Sequence, residues 1–538
     1  MTSNDSLNQL GRMLESRKGG DPESSYTARL LQNNETVRSK YQQLFRYVMI
    51  DEYQDTNQAQ FEIVRQIAGE HQRVCVVGDD DQAIYSFRGA TIRNILEFER
   101  DYQNVMSIRL EQNYRSTMSI LNLANAIIRN NRRRHSKDLW SDLGEGERPQ
   151  LFVYNDENEE ANRTAELVMK LHSEGVSFNQ MAVLYRTNAQ SRVFEYAFMQ
   201  NKIPHSIVGS LHFYQRKEIK DLLGYLSSIS NTADSESLLR VINEPPRGIG
   251  QTTVNRLLTF AAKARIPLYQ AVQNVQAVED LQNAARKRVA DFAQKLATWR
   301  EMSLRAPVLD VVKAILDDLD LIPQYRRSGD PKDISRAENL TEFVSSVSEF
   351  SERWSAEHES PALLADFLPF VALQTDMDRV EEGAESVRLM TLHNAKGLEF
   401  DCVFITGMEE GLFPHENSMS DRDGLEEERR LMYVAITRAR KRLYLSHSQT
   451  RMLHGQTRYN LPSRFFEELP EETLKWLTPK AQVNRGSFGD AMYSGARYSM
   501  NKGAGGTFGS KSGDGAAAVV SSPKASAGNA FRQGQKVF

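Results

Sequence analysis

The chain has 538 residues, of which 40% are hydrophobic and 26% are charged, and its formal net charge is −4. This length exceeds a single hydrophobic core and predicts roughly three to four domains. The near-neutral charge excludes a chain that is basic throughout, so any anionic ligand must bind to local patches of the surface.

Targeting and redox features are few. The N-terminal segment MTSNDSLNQL lacks the apolar core of a signal peptide, and no uninterrupted apolar run could span a bilayer. Cys75 and Cys402 lie in the apolar runs VCVV and DCVFI, and we expect both to be small buried side chains in a reducing compartment. We therefore expect a cytoplasmic protein without membrane contacts.

Two regions of the chain alternate strand-like apolar runs with helical patterns. The second of them comprises residues 150–214 and resumes at 380–475. Such alternation predicts parallel sheets with helices on their faces. In the first region, residues 46–113, we predict strands at 47–50, 74–77 and 105–110 and helices at 58–68 and 92–99.

The remaining parts of the chain have other compositions. Residues 215–379 carry long helical patterns rich in Leu, Ala, Glu, Lys and Arg, which predict a helical domain inserted into the second α/β region. Residues 476–538 are rich in Gly, Ser and Ala with little periodic apolar content, which predicts a disordered tail.

A helix predicted at 117–130 ends in the basic cluster Arg132-Arg133-Arg134-His135. This cluster could be the solvated end of a helix, where cations complement the helix dipole. It could equally contact a phosphate group. The residues alone favour neither interpretation.

The apolar run at residues 47–50 ends in two acids, Asp51 and Glu52. Such a run is typical of a buried strand in a parallel sheet, and ligands bind beyond the carboxyl ends of these strands. One carboxylate could hold Mg²⁺ while the other orients or deprotonates a water. The alternative is a solvated acidic turn, and this stretch alone does not decide between the two.

The strand predicted at 74–77 is followed by the sequence GDDDQAIYSFRG. Gln82 lies just beyond the strand end, where a glutamine can sense a γ-phosphate or position a water. Tyr85, Phe87 and Arg88 interleave two aromatic rings with a cation, which suits base stacking and backbone contact on a single nucleic-acid strand. On this stretch alone, the alternative that Tyr85 and Phe87 are core residues is favoured.

Polar and charged residues also follow the later strands. Arginine is preferred where a planar donor fork clamps phosphate. Each residue alone could be a surface charge, but together they fall at the ends of successive strands in two α/β regions, which solvated charge would not explain. They are Tyr114 and Arg115 in LEQNYRS, His393, Lys396 and Glu399 in TLHNAKGLEF, and Arg438 in VAITRARKRL.

The motifs DEYQDTN, GDDDQAIYSFRGA, LEQNYRS, TLHNAKGLEFDCVFITGMEEGLFPH and ERRLMYVAITRA resemble, in this order, the helicase motifs of superfamily 1. The resemblance is to the UvrD/Rep/PcrA branch of 3′-to-5′ DNA helicases and covers roughly residues 25–475. It implies ATP-dependent unwinding of duplex DNA in DNA repair or replication. It also implies an α/β fold in which two RecA-like domains of the P-loop NTPase type clasp ATP between them.

The resemblance also divides the chain into domains. The first RecA-like domain would be incomplete, and the second would carry a helical accessory insertion. The implied parts are a remnant of a first accessory helical domain at 1–45, a partial first RecA-like domain at 46–113, a second RecA-like domain at 114–214 and 380–475, the accessory insertion at 215–379 and the disordered tail at 476–538.

At the nucleotide, the resemblance implies roles for acids and arginines. Asp51 would bind Mg²⁺, and Glu52 would lie beside the metal as the catalytic base for water. Gln82 would contact the γ-phosphate. Arg115 and Arg438 would both reach the γ-phosphate, since catalysis of phosphoryl transfer is mostly positioning and charge stabilisation.

The resemblance also assigns contacts with the nucleoside and with single-stranded bases. Tyr114 would stack on adenine, and Glu399 would contact the ribose. Tyr85 and Phe87 would stack against single-stranded bases, with Arg88 beside them. Relatives often have Trp where Phe87 stands, so stacking at this position would be weaker.

Two more groups would contact DNA by resemblance. His393 and Lys396 would lie between the nucleotide and the DNA. Gly248, Ile249 and Gly250, in NEPPRGIGQTT, would contact duplex DNA, because a Gly-Ile-Gly turn lets backbone amides approach a phosphate closely. A plain turn between helices is the alternative.

The chain departs from the family at two motifs. It has no adenine-reading glutamine motif and no phosphate loop GxxxxGK[ST], whose amides and lysine hold the β- and γ-phosphates. The sequence GSKSG at 509–513 lies in the tail and lacks the GK order. We therefore expect a chain that starts late relative to the family and hydrolyses ATP poorly or not at all alone.

Three interpretations of function stay open. The chain could represent a DNA helicase, with ATP, Mg²⁺, and single-stranded and duplex DNA as ligands. It could be a non-catalytic DNA-binding or regulatory module. It could also be one half of a split helicase, whose upstream polypeptide supplies the phosphate loop.

Overall fold

A computed structural model describes residues 22–376, 385–453 and 456–477 of the protein. The predicted tail lies outside the described residues beyond residue 477, and so does the beginning of the predicted N-terminal remnant, residues 1–21. In the part of the chain that is described, no helix has both the length and the apolar character needed to cross a membrane.

The region before residue 113 contains a small parallel sheet of two strands, β1 (Val48–Ile50) and β2 (Val74–Val76). The helix between them begins at a capping box, in which Asn57 and Gln60 each accept a hydrogen bond from the other's backbone N–H. The helices of this region are α1 (Pro22–Asn33), α2 (Glu35–Leu44), α3 (Gln58–Ala68), α4 (Arg93–Leu96) and α5 (Phe98–Asp101).

The larger sheet has seven strands, and every neighbouring pair in it is parallel. Its central strands are buried on both faces, which is typical of a parallel sheet covered by helices. The strands after residue 113 are β3 (Gln150–Tyr154), β4 (Met181–Tyr185), β5 (His205–Ile207), β6 (Val387–Thr391), β7 (Phe400–Ile405), β8 (Ala439–Ser448), β9 (Thr450–Leu453), β10 (Gln456–Tyr459) and β11 (Lys475–Trp476).

The strand order of the large sheet is β11-β3-β8-β7-β4-β6-β5, and β9 and β10 form a separate antiparallel pair. Strands β5 and β6 are neighbours although residues 208–386 separate them in the chain. A helical region occupies that interval. Helices α6 (Met118–Ile128), α7 (Glu157–Ser173) and α8 (Ser191–Gln200) precede it.

The helical region has its own core, which includes the fully buried Trp299, Phe343 and Phe367. Its helices are α9 (Lys217–Ser230), α10 (Ser235–Val241), α11 (Gln251–Ala264), α12 (Leu268–Gln273), α13 (Asn283–Ser303), α14 (Val308–Asp318), α15 (Leu321–Ser328), α16 (Pro331–His358) and α17 (Leu364–Asp376).

Helices pack on both faces of the large sheet. The chain after the helical region adds α18 (Glu416–Met419), α19 (Arg422–Ile436) and α20 (Phe465–Glu468). Helices α6 and α19 share one core with the sheet, and α7 and α8 share another. The first of these cores also contains Ile84, which comes from the region before residue 113.

The predicted α/β fold class is confirmed by this parallel sheet with helices on both faces. The helix predicted at 58–68 is confirmed as α3. The strand predicted at 105–110 is wrong, since these residues belong to no strand or helix and make no backbone–backbone hydrogen bond within the described residues. The expected burial of cysteine holds for Cys402, whereas Cys75 is exposed.

Candidate nucleotide and DNA site

The acidic pair Asp51 and Glu52 directly follows β1, and both side chains are exposed. Glu52 has a φ of 50°, a left-handed conformation that is uncommon for residues other than glycine. The buried Gln54 donates from Nε2 to Glu52 Oε2 at 2.6 Å, and its Oε1 accepts from the Asp79 N–H at 3.0 Å. Gln54 thereby connects Glu52 to the loop after β2.

That loop also positions Gln82. Gln82 Nε2 donates to Asp79 Oδ2 at 2.8 Å, and Lys137 contacts the other oxygen of the same carboxylate. Arg134 donates to both oxygens of Asp81, at 2.9 and 2.8 Å. Arg134 therefore pairs with an aspartate of the loop, an arrangement that neither interpretation of the basic cluster anticipated.

Lys396 connects the second α/β region to the first. Its Nζ donates to Asp55 Oδ2 at 2.5 Å and to the Gln82 carbonyl oxygen at 2.9 Å. The same nitrogen lies 3.4 Å from Glu52 Oε2 and 5.4 Å from the centroid of the Tyr85 ring. One largely buried ammonium thus contacts both the acidic loop and an aromatic residue predicted to bind DNA.

Four of the residues predicted to bind DNA form an aromatic cluster. The Tyr85 hydroxyl donates to the His393 carbonyl at 3.3 Å, and the rings of Phe87 and His393 meet edge to face at 5.3 Å between centroids. The guanidinium of Arg88 lies 5.3 Å from the Tyr85 ring and 5.5 Å from the Phe87 ring. Phe87 is 45% exposed and Tyr85 is half-buried, so Phe87 is not a core residue.

His393 is neutral in this cluster. Burial, together with the nearby positive charge of Arg186, lowers the pKa of His393 to about 3, although Glu428 opposes the shift. The imidazole therefore offers an uncharged ring and a hydrogen-bonding group at neutral pH. It adds no positive charge to the surface around Phe87.

Arg115 and Glu399, which are far apart in the sequence, form an ion pair. Glu399 accepts hydrogen bonds from Arg115 and from Arg440, and these two arginines lower the pKa of Glu399 to about 2. Arg115 also donates to the Thr437 carbonyl at 3.4 Å. The carboxylate predicted to contact ribose is thus held by the arginine predicted to reach the γ-phosphate.

Arg438 is a buried cation whose hydrogen-bond partners are all neutral. It is 2% exposed and donates to the Val434 carbonyl at 2.9 Å, the Thr437 hydroxyl at 3.0 Å and the Leu398 carbonyl at 3.3 Å. Within the described residues no carboxylate pairs with it. Burial, and then the charge of Arg115, lower its pKa to about 10. A buried cation of this kind suits an anionic ligand.

Tyr114 lies at the exposed end of this group. Its side chain is 78% exposed, and its hydroxyl donates to Gln112 Oε1 at 2.8 Å. The ring is therefore accessible to a planar ligand such as a base.

The Gly-Ile-Gly turn lies in the helical region, apart from the residues above. Gly248 has a φ of 75°, and its carbonyl accepts from Arg288 at 3.1 Å. Ile249 is buried in the helical core, and its N–H donates to Asn243 Oδ1 at 3.0 Å. Gly250, just before α11, has open space where a Cβ would be, so it alone of the three leaves room for a close approach.

Sequence reasoning missed several residues that organise this site. Gln54 lies within DEYQDTN, and its spacing from Glu52 could have drawn attention to it. Lys137 had no such signal, because its aspartate partners are more than fifty residues away in sequence. The others are Arg440 on Glu399, and Glu427, which accepts from the Ser86 N–H at 3.0 Å.

The oxygen ligands of Asp51 and Glu52 fit the preference of Mg²⁺ for carboxylates and phosphates. Within the described residues, no group of three or more His, Cys, Asp or Glu side chains could hold a metal on its own. Mg²⁺ at this position would therefore be shared between these acids and the oxygens of a nucleotide.

Two family models match the chain. The UvrD-like helicase C-terminal domain matches residues 108–450, and the UvrD/REP helicase N-terminal domain matches residues 23–103. The two matches together cover most of the part that the structure describes.

Curated proteins named ATP-dependent DNA helicase PcrA are similar to the chain. The protein of Leuconostoc citreum is 42% identical over 451 residues, which is 84% of this chain and 60% of that protein. That of Staphylococcus epidermidis strain ATCC 12228 is 42% identical over 456 residues, 83% of this chain and 62% of that protein. The chain thus spans about three fifths of the length of these relatives.

A solved structure, the C-terminal domain of a possible DNA helicase from Lactobacillus plantarum, aligns with a TM-score of 0.26 and 10% identity. The alignment covers 68% of this chain and 98% of that one. Such a score is too low to carry a fold assignment.

Proposed function

Because the chain belongs to the UvrD-like helicase family, we propose that it acts in an ATP-dependent DNA helicase that moves in the 3′-to-5′ direction along single-stranded DNA and unwinds duplex DNA. The names of the similar proteins support the ATP dependence and the DNA substrate. A role in DNA repair or replication follows as part of the same proposal.

The contact made by Lys396 carries this proposal. Its ammonium lies 3.4 Å from Glu52 Oε2, on the nucleotide side, and 5.4 Å from the Tyr85 ring, on the DNA side. A motor that couples ATP hydrolysis to movement needs a group that responds to both ligands. Lys396 lies where a change at either ligand alters its contacts with the other.

On the nucleotide side, each candidate residue has its own role in phosphoryl transfer. Glu52 takes the proton of the attacking water, and Gln82 contacts the γ-phosphate. Arg115 and Arg438 stabilise the charge that develops on the phosphoryl group. Asp51 would hold Mg²⁺, which would supply positive charge to the phosphate oxygens.

The nucleoside is bound by a different pair. Tyr114 stacks on the adenine, and its exposed ring supports this role. Glu399 contacts the ribose while Arg115 and Arg440 keep the carboxylate ionised.

On the duplex side, Gly250 offers the most open backbone of the turn that also includes Gly248 and Ile249.

Hydrolysis requires a phosphate-holding loop as well. The 538 residues contain no GxxxxGK[ST] sequence, whose amides and lysine would hold the β- and γ-phosphates. We expect the purified chain alone to hydrolyse ATP slowly or not at all, and we expect an added polypeptide with such a loop to raise the rate. Robust DNA-stimulated hydrolysis by the chain alone, free of contaminating helicase, would contradict this expectation.

The DNA side can be tested without hydrolysis. We expect Phe87→Ala to weaken binding of a fluorescent oligothymidylate by about 1–3 kcal/mol, because one base loses its stacking partner. Fluorescence anisotropy measures the affinity. Tyr459→Ala, which removes a 90% exposed ring on β10, is the matched control and should bind normally. Equal binding by Phe87→Ala and wild type would reject Phe87 as a stacking residue.

A second candidate function is DNA binding without hydrolysis, as in a regulatory module. The cluster of Tyr85, Phe87 and Arg88, in which Phe87 is 45% exposed, offers stacking and charge to a DNA strand without any nucleotide and favours this candidate. The two candidates differ in a strand-displacement assay with a 3′-tailed duplex, run with an added phosphate-loop polypeptide. Unwinding supports the helicase, whereas tight DNA binding without ATP turnover supports the regulatory module.

A further inference from the structure

We propose that Glu427, on α19, is a positioning residue for DNA binding. It holds the turn Ser86–Arg88 from the other α/β region, so that Phe87 is placed to stack on a base. This inference rests on the proposed function, because it takes Phe87 as a stacking residue. It adds a role for an acid that the proposed function does not use.

The turn that carries Phe87 is short. Ser86–Arg88 form a single 3₁₀ turn that follows Tyr85 and ends at Gly89, whose φ is 86°. Within it, the Arg88 N–H donates to the Tyr85 carbonyl at 3.0 Å and the Gly89 N–H to the Ser86 carbonyl at 2.8 Å. Because the hydrogen bonds of 3₁₀ turns have poor geometry, contacts from elsewhere must help to fix the turn.

Glu427 supplies such contacts with both of its carboxylate oxygens. Oε1 accepts from the Ser86 N–H at 3.0 Å, and Oε2 accepts from the Ser86 hydroxyl. Hydrogen bonds to a carboxylate are stronger than those between neutral groups. The two residues are 341 positions apart in the sequence, so these bonds join the region before residue 113 to the second α/β region.

Helix α19 gives Glu427 a fixed support. The next residue, Glu428, is 3% exposed and accepts three hydrogen bonds from Arg186 at 2.8–3.2 Å. Glu428 also accepts from the His415 N–H at 3.0 Å, and the helix shares a core with the large sheet. Glu427 therefore extends a firmly held part of the second region onto the turn.

The charge of Glu427 also needs a reason. A carboxylate beside a surface that binds DNA repels the phosphates. Burial raises the pKa of Glu427, although the two hydrogen bonds from Ser86 oppose the shift. The carboxylate is thus unfavourable for DNA and partly desolvated, and its bonds to Ser86 offset both effects by fixing the stacking ring.

Two substitutions at Glu427 separate hydrogen bonding from charge. Both remove one negative charge, but Glu427→Gln keeps an acceptor for the Ser86 N–H and a donor for the Ser86 hydroxyl oxygen. We expect Glu427→Ala to weaken binding of a fluorescent oligothymidylate about fivefold, because a displaced ring loses part of its stacking. We expect Glu427→Gln to bind at least as tightly as wild type. Fluorescence anisotropy measures both affinities.

Asp423→Ala is the charge-matched control. Asp423 lies in the first turn of the same helix, is 64% exposed and pairs with Arg133. Removing a negative charge near the DNA surface should leave binding unchanged or strengthen it slightly. A purely electrostatic role predicts the same small gain for Glu427→Ala, so the two explanations differ in the sign of the effect.

A double-mutant cycle tests whether Glu427 acts through Phe87. In a chain that already carries Phe87→Ala, we expect Glu427→Ala to change the affinity by less than about twofold. From the other side of the contact, Ser86→Ala removes the hydroxyl donor without changing any charge. We expect it to weaken binding about twofold, because the Ser86 N–H still donates.

Hydrogen exchange followed by mass spectrometry checks the contact itself. We expect Glu427→Ala to speed exchange of the Ser86 N–H, which loses its acceptor. Unchanged exchange in α6 and α7 shows that the variant is folded. If Glu427→Ala does not fold, Ser86→Ala decides the question: weaker binding supports the proposal, and equal binding overturns it.

Each remaining outcome also decides the proposal. Binding by Glu427→Ala that equals or exceeds that of wild type overturns it, and so do equal losses in Glu427→Ala and Glu427→Gln. An undiminished effect of Glu427→Ala beside Phe87→Ala overturns it as well, because Glu427 then acts through another group. Normal binding by Phe87→Ala alone rejects the stacking proposed above together with this inference, whereas a loss confined to Phe87→Ala rejects only the role of Glu427.

Discussion

At the scale of single residues, the ion pairs of Glu399 make the stability of the fold depend on pH. Arg115 and Arg440 lower its pKa to about 2, below the value of roughly 4.3 for an unfolded glutamate. Because the folded pKa is the lower one, the ion pairs stabilise the fold above about pH 4.3, and this stabilisation is lost as the pH falls toward 2.

We therefore expect Glu399→Gln to lower the free energy of unfolding at pH 7 by about 1 kcal/mol at most, since the side chain is 36% exposed and solvent screens the pairs. The difference from wild type should shrink as the pH falls below about 4.5. Urea denaturation at a series of pH values measures it. Glu70→Gln, an exposed glutamate after α3, controls for the general effect of charge.

Arg134 gives a second prediction at this scale. It pairs with Asp81, and the two side chains are 9% and 0% exposed. We expect Arg134→Met to cost about 3–5 kcal/mol, because it removes a partner of a buried carboxylate. Lys137, 3.1 Å from the same carboxylate, should keep the loss toward the lower value.

Arg133→Met is the matched control for Arg134→Met in chemical denaturation. Arg133 pairs with Asp423, but both side chains are more than half exposed, so the loss should stay below about 1 kcal/mol. Similar losses in both variants would show that burial does not govern the strength of these pairs.

At the scale of elements, the start of α3 offers a direct test. The Asn57 side chain accepts from the Gln60 N–H at 2.9 Å. We expect Asn57→Ala to lower the free energy of unfolding by about 1 kcal/mol, because the helix loses its N-cap acceptor. Asn57→Asp keeps the acceptor and should lose much less. Urea denaturation compares the two variants, and equal losses would rule out a capping role.

The elements also show what sequence reasoning can supply. Helix α3 is predictable because its cap, its apolar spacing and its end are all local signals. The segment 105–110 has an equally clear strand pattern, yet it forms no strand, because strand formation depends on a neighbour that the pattern does not specify. The same reasoning applies to Cys75, whose apolar surroundings in sequence predicted burial that only a covering element can provide.

In the candidate site, too, local sequence motifs were recognisable whereas contacts between distant residues were not. The order of the motifs was sufficient to select Glu52, Arg115 and Arg438 as candidate site residues, because each belongs to a long and specific sequence, and their roles stay predictions. The contacts among them were not predictable, since they join residues far apart in the chain. The pairing of Arg115 with Glu399 spans 284 positions, and that of Lys396 with Asp55 spans 341.

At the scale of the whole molecule, the region before residue 113 shares a core with the large sheet through Ile84. This side chain is fully buried beside residues of α6 and α19. We expect Ile84→Ala to cost about 2–5 kcal/mol in the free energy of unfolding, because the cavity lies at the junction of the two regions. Circular dichroism during urea denaturation measures the loss.

Leu143→Ala is the control for this substitution, since Leu143 is 56% exposed and its loss should stay within about 0.5 kcal/mol. A negligible effect of Ile84→Ala would mean that this apolar contact contributes little to holding the two regions together. Polar contacts such as the pairs of Arg134 with Asp81 and of Lys396 with Asp55 would then be the main connections.

Lys396 also limits how many hydrogen-bond acceptors can bind it at once in the proposed motor. An ammonium group has three hydrogens to donate. Asp55 and the Gln82 carbonyl each take one, which leaves a single hydrogen for Glu52, 3.4 Å away, or for another acceptor. A phosphate oxygen that reaches Lys396 must therefore replace an acceptor rather than join the existing three. Glu52 is the most distant of the three acceptors, so it is the one that an arriving anion replaces. Binding of the anion to Lys396 and release of the proposed base Glu52 therefore occur together.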